Sequence, residues 1–135
     1  MKREEILDRI NQEGFSFSIN MTRWAFRDFK VLVRSRRLSL EQIYQMFVEF
    51  CEELENCLAE AGDERRMMFN KYPVNPVLDK YKTQFDSISP NGREFRFEFV
   101  FTNNNHLKVY HLFETINGRK KVTWKDILWE IIEVL

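Results

Sequence analysis

The stretch that decides the fold reads Glu94-Phe95-Arg96-Phe97-Glu98-Phe99-Val100-Phe101-Thr102. Its four phenylalanines alternate with residues that are mostly charged or polar, so an extended chain has one aromatic face and one wet face. This period of two predicts a half-buried β-strand. A strand of this kind needs a neighbouring strand on its edge and a second layer over its phenylalanine face.

The residues that follow predict the neighbouring strand and its register. We expect Asn103-Asn104-Asn105 to form a three-residue loop between two antiparallel strands. Every phenylalanine then gains a partner on its own face of the sheet. The predicted pairs are Phe101 with Leu107, Phe99 with Val109, Phe97 with His111, and Phe95 with Phe113.

The dipeptide Asn117-Gly118 predicts a second, tight hairpin. Its register places Phe113 opposite Val122 inside and Glu114 opposite Lys121 outside. Glu94 would then oppose Glu114, which is an unfavourable pair. The C-terminal third is therefore predicted to be a three-stranded antiparallel meander over residues 94–122.

A final helix is expected after this meander, with Thr123 as its cap. It runs to Leu135, and its apolar side chains share one face. These side chains are Trp124, Ile127, Leu128, Ile131 and Leu135. We expect this helix to pack on the phenylalanine face.

The N-terminal half of the chain is predicted to be mainly helical. A short helix over 2–12 is followed by an alternating stretch, 15–21, which we interpret as a strand that joins the edge of the sheet; irregular coil is the alternative. Thr22 is a suitable cap for a helix over 23–36. The region 63–72 favours a short helical turn, and Asn75-Pro76 favours a helix to about Phe85.

The clearest single element is a long amphipathic helix over 40–61. Ser39 and Gln42 have the spacing of a capping box, and Gly62 is a typical stop signal. Apolar residues recur at steps of three and four along this helix. This pattern favours a core helix, and it leaves open a homodimer whose seam is helix 40–61. Residues 1–135 are thus predicted to form a single α+β domain.

Composition excludes several classes of protein. The chain has 135 residues and no net charge, with only 4 glycines and 3 prolines, so it lacks Gly-rich phosphate loops and Pro-rich recognition segments. It contains no apolar run long enough to span a membrane, and the N-terminus does not resemble a signal peptide. Cys51 and Cys57 are expected to be free thiols, which favours a reducing, cytoplasmic location.

No catalytic, cofactor or metal motif is present. The two histidines, His106 and His111, are separated by five residues on one predicted strand and so point to opposite faces. They do not form a metal site. His111 is expected on the phenylalanine face as a core histidine; an enzyme centred on His111 is the alternative.

Charge is strongly segregated along the chain despite its zero net value. A basic segment spans 23–37, and an acidic segment without Lys or Arg spans 38–64. A second basic cluster spans 119–125. The candidate partner-binding residues are Arg23, Arg27, Lys30, Arg34, Arg36, Arg37, Glu49, Glu52, Glu53, Arg119, Lys120 and Lys121.

These blocks have two interpretations. Adjacent antiparallel helices of opposite charge would simply neutralise one another, with little gain in stability. Alternatively, the helices are recognition surfaces. We therefore expect a non-catalytic protein-binding module, such as an inhibitor, adaptor or accessory subunit. The alternative is a nucleic-acid-binding protein that uses the basic segment 23–37 and the basic cluster 119–125.

Overall fold

The computed structural model describes residues 2–71, 83–102 and 105–121, together with Leu128, Ile131 and Ile132; for residues 57–71, Thr83 and Thr102 it describes the backbone alone. The helices are α1 (Arg3–Asn11), α2 (Arg23–Arg34) and α3 (Leu40–Lys71). The strands are β1 (Ser18–Met21), β2 (Thr83–Ile88), β3 (Glu94–Thr102), β4 (His106–Ile116) and β5 (Arg119–Lys120).

The strands form one mixed sheet in the order β1-β4-β3-β2, with β5 paired to β4. The α+β class is confirmed, as are the antiparallel pairs of the predicted meander, β3 with β4 and β4 with β5, and the strand within 15–21 that joins the sheet. The sheet as a whole is mixed rather than purely antiparallel. β1 runs parallel to β4, with Ile19 opposite Leu107. Alternation in sequence reports which face a strand buries, but not which neighbour it joins or in which direction.

β2 was not predicted. The expected helix from Asn75-Pro76 to Phe85 lies largely outside the described residues, but its last part is wrong because Phe85 belongs to a strand. β2 pairs antiparallel with β3, and Phe85 lies opposite Phe97. Within this strand Phe85 and Ser87 are at least half-buried, whereas Gln84 and Asp86 are exposed. The local period is therefore two rather than 3.6.

The β3–β4 hairpin carries a bulge that changes half of the predicted register. Phe101 pairs with Leu107 and Phe99 with Val109, as expected. Tyr110 is then an extra residue, so the remaining pairs shift by one. Phe97 lies opposite Leu112 and Phe95 opposite Glu114, so the predicted pairs with His111 and Phe113 are wrong. A bulge of this kind moves every later side chain of its strand to the other face.

The bulge therefore exchanges the residues that β4 buries. Leu112 is buried in the core, whereas His111 is only half-buried and lies opposite Glu98 on the other face. The same shift buries Glu114, which was expected to point outward opposite Lys121. Glu94 lies opposite Thr115 instead, which removes the unfavourable pair with Glu114.

The phenylalanine face is covered by α3. Phe50 of α3 lies 4.7–5.0 Å, between ring centroids, from Phe85, Phe97 and Phe99. Leu128 and Ile131 are helical but more than half exposed, so the prediction that these two side chains pack on this face is wrong. The predicted packing of Trp124, Ile127 and Leu135 lies outside the described residues.

The same packing accounts for the apolar spacing of helix 40–61. Ile43, Phe47, Phe50 and Leu54 are all buried within this chain. These four side chains already face the sheet, so they do not offer a dimer seam; a homodimer through other residues of helix 40–61 stays a prediction. The stripe belongs to a core helix.

α3 also continues beyond Gly62 to Lys71, so the predicted stop at Gly62 and the separate turn over 63–72 are wrong. One glycine within a helix costs only about 1 kcal/mol relative to alanine. The residues after it, Glu64-Arg65-Arg66-Met67-Met68, are good helix formers. Their combined propensity outweighs the cost of Gly62.

Three local predictions are confirmed. The side chain of Thr22 accepts a hydrogen bond from the backbone N–H of Ala25 and caps α2. Ser39 and Gln42 bond each other's backbone N–H groups reciprocally, at 3.1 and 2.9 Å. Asn117 and Gly118 have φ values of 52° and 74°, as a tight hairpin turn of type I′ requires.

The N-terminal end of α2 is tied to the edge of β4. The backbone N–H of Thr22 donates to the Val109 carbonyl, and the Thr22 hydroxyl donates to the Tyr110 carbonyl. Oδ2 of Asp28 accepts the Leu112 N–H at 3.1 Å. These contacts satisfy the backbone groups of β4 at the bulge and fix α2 beside the sheet.

None of the described helices combines the length and apolar character that a membrane span requires.

Candidate interaction surfaces

α2 separates apolar and basic side chains onto opposite faces. Ala25, Phe29 and Leu32 are buried against the core. At about 100° per residue, the opposite face carries four of the predicted basic residues. They are Arg23, Arg27, Lys30 and Arg34, and we call this set the α2 basic stripe. Arg23 and Arg34 are exposed, and Arg27 and Lys30 are half-buried.

Trp24 lies beside this stripe and is 45% exposed. The guanidinium carbons of Arg23 and Arg27 lie 5.3 and 4.8 Å from the centre of its ring. Both distances are within the range of cation–π attraction, so the ring helps to order both cations. Tryptophan and arginine are also the residue types that most often dominate the energy of protein interfaces.

The basic segment 23–37 does not form one surface, because the chain turns after α2. The Arg37 N–H donates to the Leu32 carbonyl and the Arg36 N–H to the Val33 carbonyl, the bonding pattern of a Schellman motif. Arg36 occupies the left-handed region with φ of 59° and is exposed. The side chain of Arg37 turns inward and is only 13% exposed.

Arg37 contributes to an ion cluster around the buried carboxylate of Glu114. Oε1 of Glu114 lies 3.6 Å from Nη1 of Arg37, and Oε2 lies 3.5 Å from Nζ of Lys121. Nε of Arg93 is 4.0 Å from the same Oε2. A carboxylate that is 4% exposed requires such partners. Arg37 and Lys121 therefore have a charged partner within the chain.

α3 presents the acidic counterpart of the stripe. Glu49, Glu52 and Glu53 are exposed; by helical spacing Glu52 lies opposite the buried stripe, and Glu49 and Glu53 lie on one flank of it. We call these three residues the α3 acidic face. α2 packs against β4, whereas α3 packs against β3 and β2. The stripe and the acidic face are therefore carried by two helices that pack on different strands of the sheet.

The acidic residues with described partners bind elements other than α2. Glu41 accepts two hydrogen bonds from the Arg9 guanidinium, at 2.6 and 3.0 Å, and this contact lowers the pKa of Glu41 and raises that of Arg9. Glu55 accepts the backbone N–H of Ser16 at 2.7 Å. These contacts hold α3 to α1 and to the segment before β1.

The second predicted basic cluster, 119–125, is described only as far as Lys121. Arg119 and Lys120 are exposed on β5. Nζ of Lys120 lies 5.2 Å from the centre of the Phe113 ring, on the side of the sheet away from the helices. The two basic clusters therefore do not merge into one surface.

The described residues give little basis for catalysis. Nδ1 of His111 lies 3.2 Å from Oδ2 of Asp28, the same oxygen that accepts the Leu112 N–H. The contact between His111 and Asp28 thus connects α2 to β4. Burial raises the pKa of the Cys51 thiol far above its usual range, which leaves it unreactive. In the part of the chain described, no three potential metal ligands cluster.

Sequence reasoning missed two functional features of this arrangement. It did not identify Asp28 as the residue that binds the strand edge, or Glu114 as a buried charge. Both depend on the bulge at Tyr110. The sequence signal for it is that a regular ladder places the polar His111, rather than Leu112, opposite Phe97. Comparisons with protein-family models, with curated proteins and with solved structures gave no match.

Proposed function

We propose that the protein is a non-catalytic binding module that recognises an acidic segment of a protein partner through Trp24 and the α2 basic stripe. The observation that carries this proposal is the exposed Trp24 ring with two guanidinium groups against it. A partner that covers this ring gains apolar burial, and carboxylates beside it gain charge-assisted hydrogen bonds from Arg23 and Arg27.

A nucleic acid is the second candidate, because the same cations also suit phosphates. The α3 acidic face argues against it. Glu49, Glu52 and Glu53 are exposed on α3 and repel a polyanion that extends beyond α2. A folded or short acidic protein segment avoids this repulsion, since it contacts α2 alone.

Affinity capture with matched variants tests the proposal. The tagged protein, its R23E/R27E variant and its W24A variant are incubated with nuclease-treated extract of the source cells at low and moderate salt. A control variant, R119E/K120E, changes the same charge on β5. We expect one partner protein to be retained by the wild type and the control, and lost by both α2 variants.

Two results would contradict the proposal. Retention of the same partner by R23E/R27E would place its site elsewhere. If material is captured only from extract that has not been treated with nuclease, and its amount falls steeply as salt rises, the nucleic-acid candidate is favoured instead.

A further inference from the structure

A polar cavity lies where the turn before β3 meets the end of β4. Its volume is about 290 Å³, and Arg93, Glu114 and Lys121 are among the residues that line it. Arg93 is exposed and Lys121 is half-buried, whereas Glu114 is buried. None of the lining residues belongs to α2, so this cavity is separate from the α2 basic stripe.

The carboxylate of Glu114 has an oxygen that lacks a hydrogen bond. Nη1 of Arg37 lies 3.6 Å from this atom, Oε1, which is too long for a hydrogen bond. No other group among the described residues donates to Oε1, and the atom is shielded from solvent. A buried carboxylate oxygen without a donor costs free energy. Rotation about the last torsion of a glutamate is soft, so this oxygen can turn toward the cavity.

The two cations that line the cavity have donors to spare. Nε of Arg93 lies 4.0 Å from Oε2 of Glu114, and within the described part of the chain its guanidinium makes no hydrogen bond. Nζ of Lys121 makes one long bond, 3.5 Å, to the same oxygen. With Arg37 and the exposed Glu94, three cations and two carboxylates surround the cavity. The site therefore suits an anion of low charge that accepts from Arg93 and Lys121 and also donates to Glu114.

A protonated phosphate group has both properties. The second proton of a phosphate monoester dissociates at about pH 6, so at that pH much of the monoester still carries a P–OH group. This group can donate to Glu114 while the other oxygens accept from Arg93 and Lys121, and a guanidinium matches two phosphate oxygens at once. Sulfate has the same tetrahedral shape but carries no proton at this pH, so it cannot donate to a carboxylate.

We propose that this cavity binds a protonated phosphate group, either inorganic phosphate or a phosphate monoester, and that Glu114 selects it over sulfate. The inference goes beyond the proposed function, because it assigns a small ligand to a second site. It does not depend on Trp24 or on the α2 basic stripe.

Titrations of isotope-labelled protein at about pH 6, followed by NMR, test the site with inorganic phosphate, methyl phosphate and sulfate. We expect phosphate to shift the amide signals of residues 92–94 and 114–117. Sulfate should bind at least about tenfold more weakly, because it forfeits a hydrogen bond to a charged group. Methyl phosphate that binds as tightly as inorganic phosphate identifies a monoester as the ligand, whereas weaker binding identifies phosphate itself; either order supports the site.

Three variants test the roles of the side chains. R93Q removes an exposed guanidinium whose long contact contributes little to stability, and it should weaken phosphate binding at least about tenfold. R119Q is the matched control, because Arg119 is exposed on β5 and does not line the cavity, and its binding should be unchanged. E114Q replaces the carboxylate by an amide that also donates, so sulfate should bind it about as tightly as phosphate does. Circular dichroism establishes that each variant is folded.

Equal affinity of the wild type for phosphate and sulfate would overturn the proposal, as would the absence of binding by all three probes. Equal weakening by R93Q and R119Q would also overturn it. Shifts centred on residues 23–34 would show general attraction of anions to the α2 basic stripe instead. None of these results decides the proposed function, whose test is partner capture by the α2 variants.

Discussion

Replacing Phe50 by alanine tests the assignment of α3 as the helix that covers the sheet. The Phe50 ring is 1% exposed and contacts four other rings. A buried Phe→Ala change costs about 3–5 kcal/mol in free energy of unfolding. Each aromatic pair adds roughly 0.5–1.5 kcal/mol beyond its buried area, which places Phe50 at the upper end, about 4–5 kcal/mol.

Urea denaturation followed by circular dichroism measures this loss. A slope of about 1–3 kcal/mol/M converts it into a midpoint that is lower by roughly 2 M. Ile131→Ala is the matched control, because Ile131 belongs to the helix that the sequence placed on the same face but is 52% exposed. We expect the control to change stability by less than about 0.5 kcal/mol.

The two alternatives for the covering helix give opposite results. If the C-terminal helix covered the phenylalanines, Ile131→Ala would cost several kcal/mol. A loss below about 1.5 kcal/mol for Phe50→Ala, within the ordinary range for any substitution, would also refute the assignment.

Three further predictions follow from the buried and strained positions. Glu114→Gln removes a buried charge from among three cations, so the free energy of unfolding should fall by about 3 kcal/mol in urea denaturation. The control Glu94→Gln changes an exposed glutamate and should have little effect, and equal losses for the two variants would argue against a buried ion cluster. Gly118→Ala should cost about 1–2 kcal/mol from its φ of 74° alone, since the added Cβ meets only an arginine nitrogen at 4.0 Å, and Gly118→Asn should recover most of it. In a Cys57→Ser background, Cys51 should react with a thiol reagent at pH 8 only after unfolding, because burial raises its pKa; fast reaction of folded protein would contradict this. Since the folded state keeps a proton that the unfolded chain loses above about pH 9, stability should also decline there as pH rises.

The sequence predicted those parts of the fold that depend on short-range patterns. The alternation of Phe95 to Phe101 identified β3 and its buried face, and Asn117-Gly118 identified the second turn. Thr22 and Ser39 marked the starts of α2 and α3. Each of these signals is local, so the chemistry of a few neighbouring residues is sufficient.

The parts that were mispredicted depend on tertiary choices. The bulge at Tyr110 inserts one residue into an otherwise regular ladder. Thr22 and Asp28, which are distant in sequence, hydrogen-bond the backbone groups of Tyr110 and Leu112 beside it. The parallel pairing of β1 with β4 is equally non-local. The alternation of β1 is the same whichever neighbour it joins, so it carries no information about the partner.

The candidate surface was predicted in part. The basic segment 23–37 was identified by composition, and helical spacing groups Arg23 with Arg27 on one outward face. The inward turn of Arg37 was not predictable, because it follows from a left-handed Arg36 where glycine is the usual residue. Its partner Glu114 became buried only through the bulge.

The most direct test of the central claim is to map where an acidic polypeptide binds. A short poly-glutamate peptide is titrated into isotope-labelled protein, and amide and indole chemical shifts are followed by NMR at low and high salt. The account predicts that the largest changes fall on residues 23–34 and on the Trp24 indole, and that they diminish at high salt. Changes centred on Arg119 and Lys120, or spread evenly over all basic residues, would contradict it.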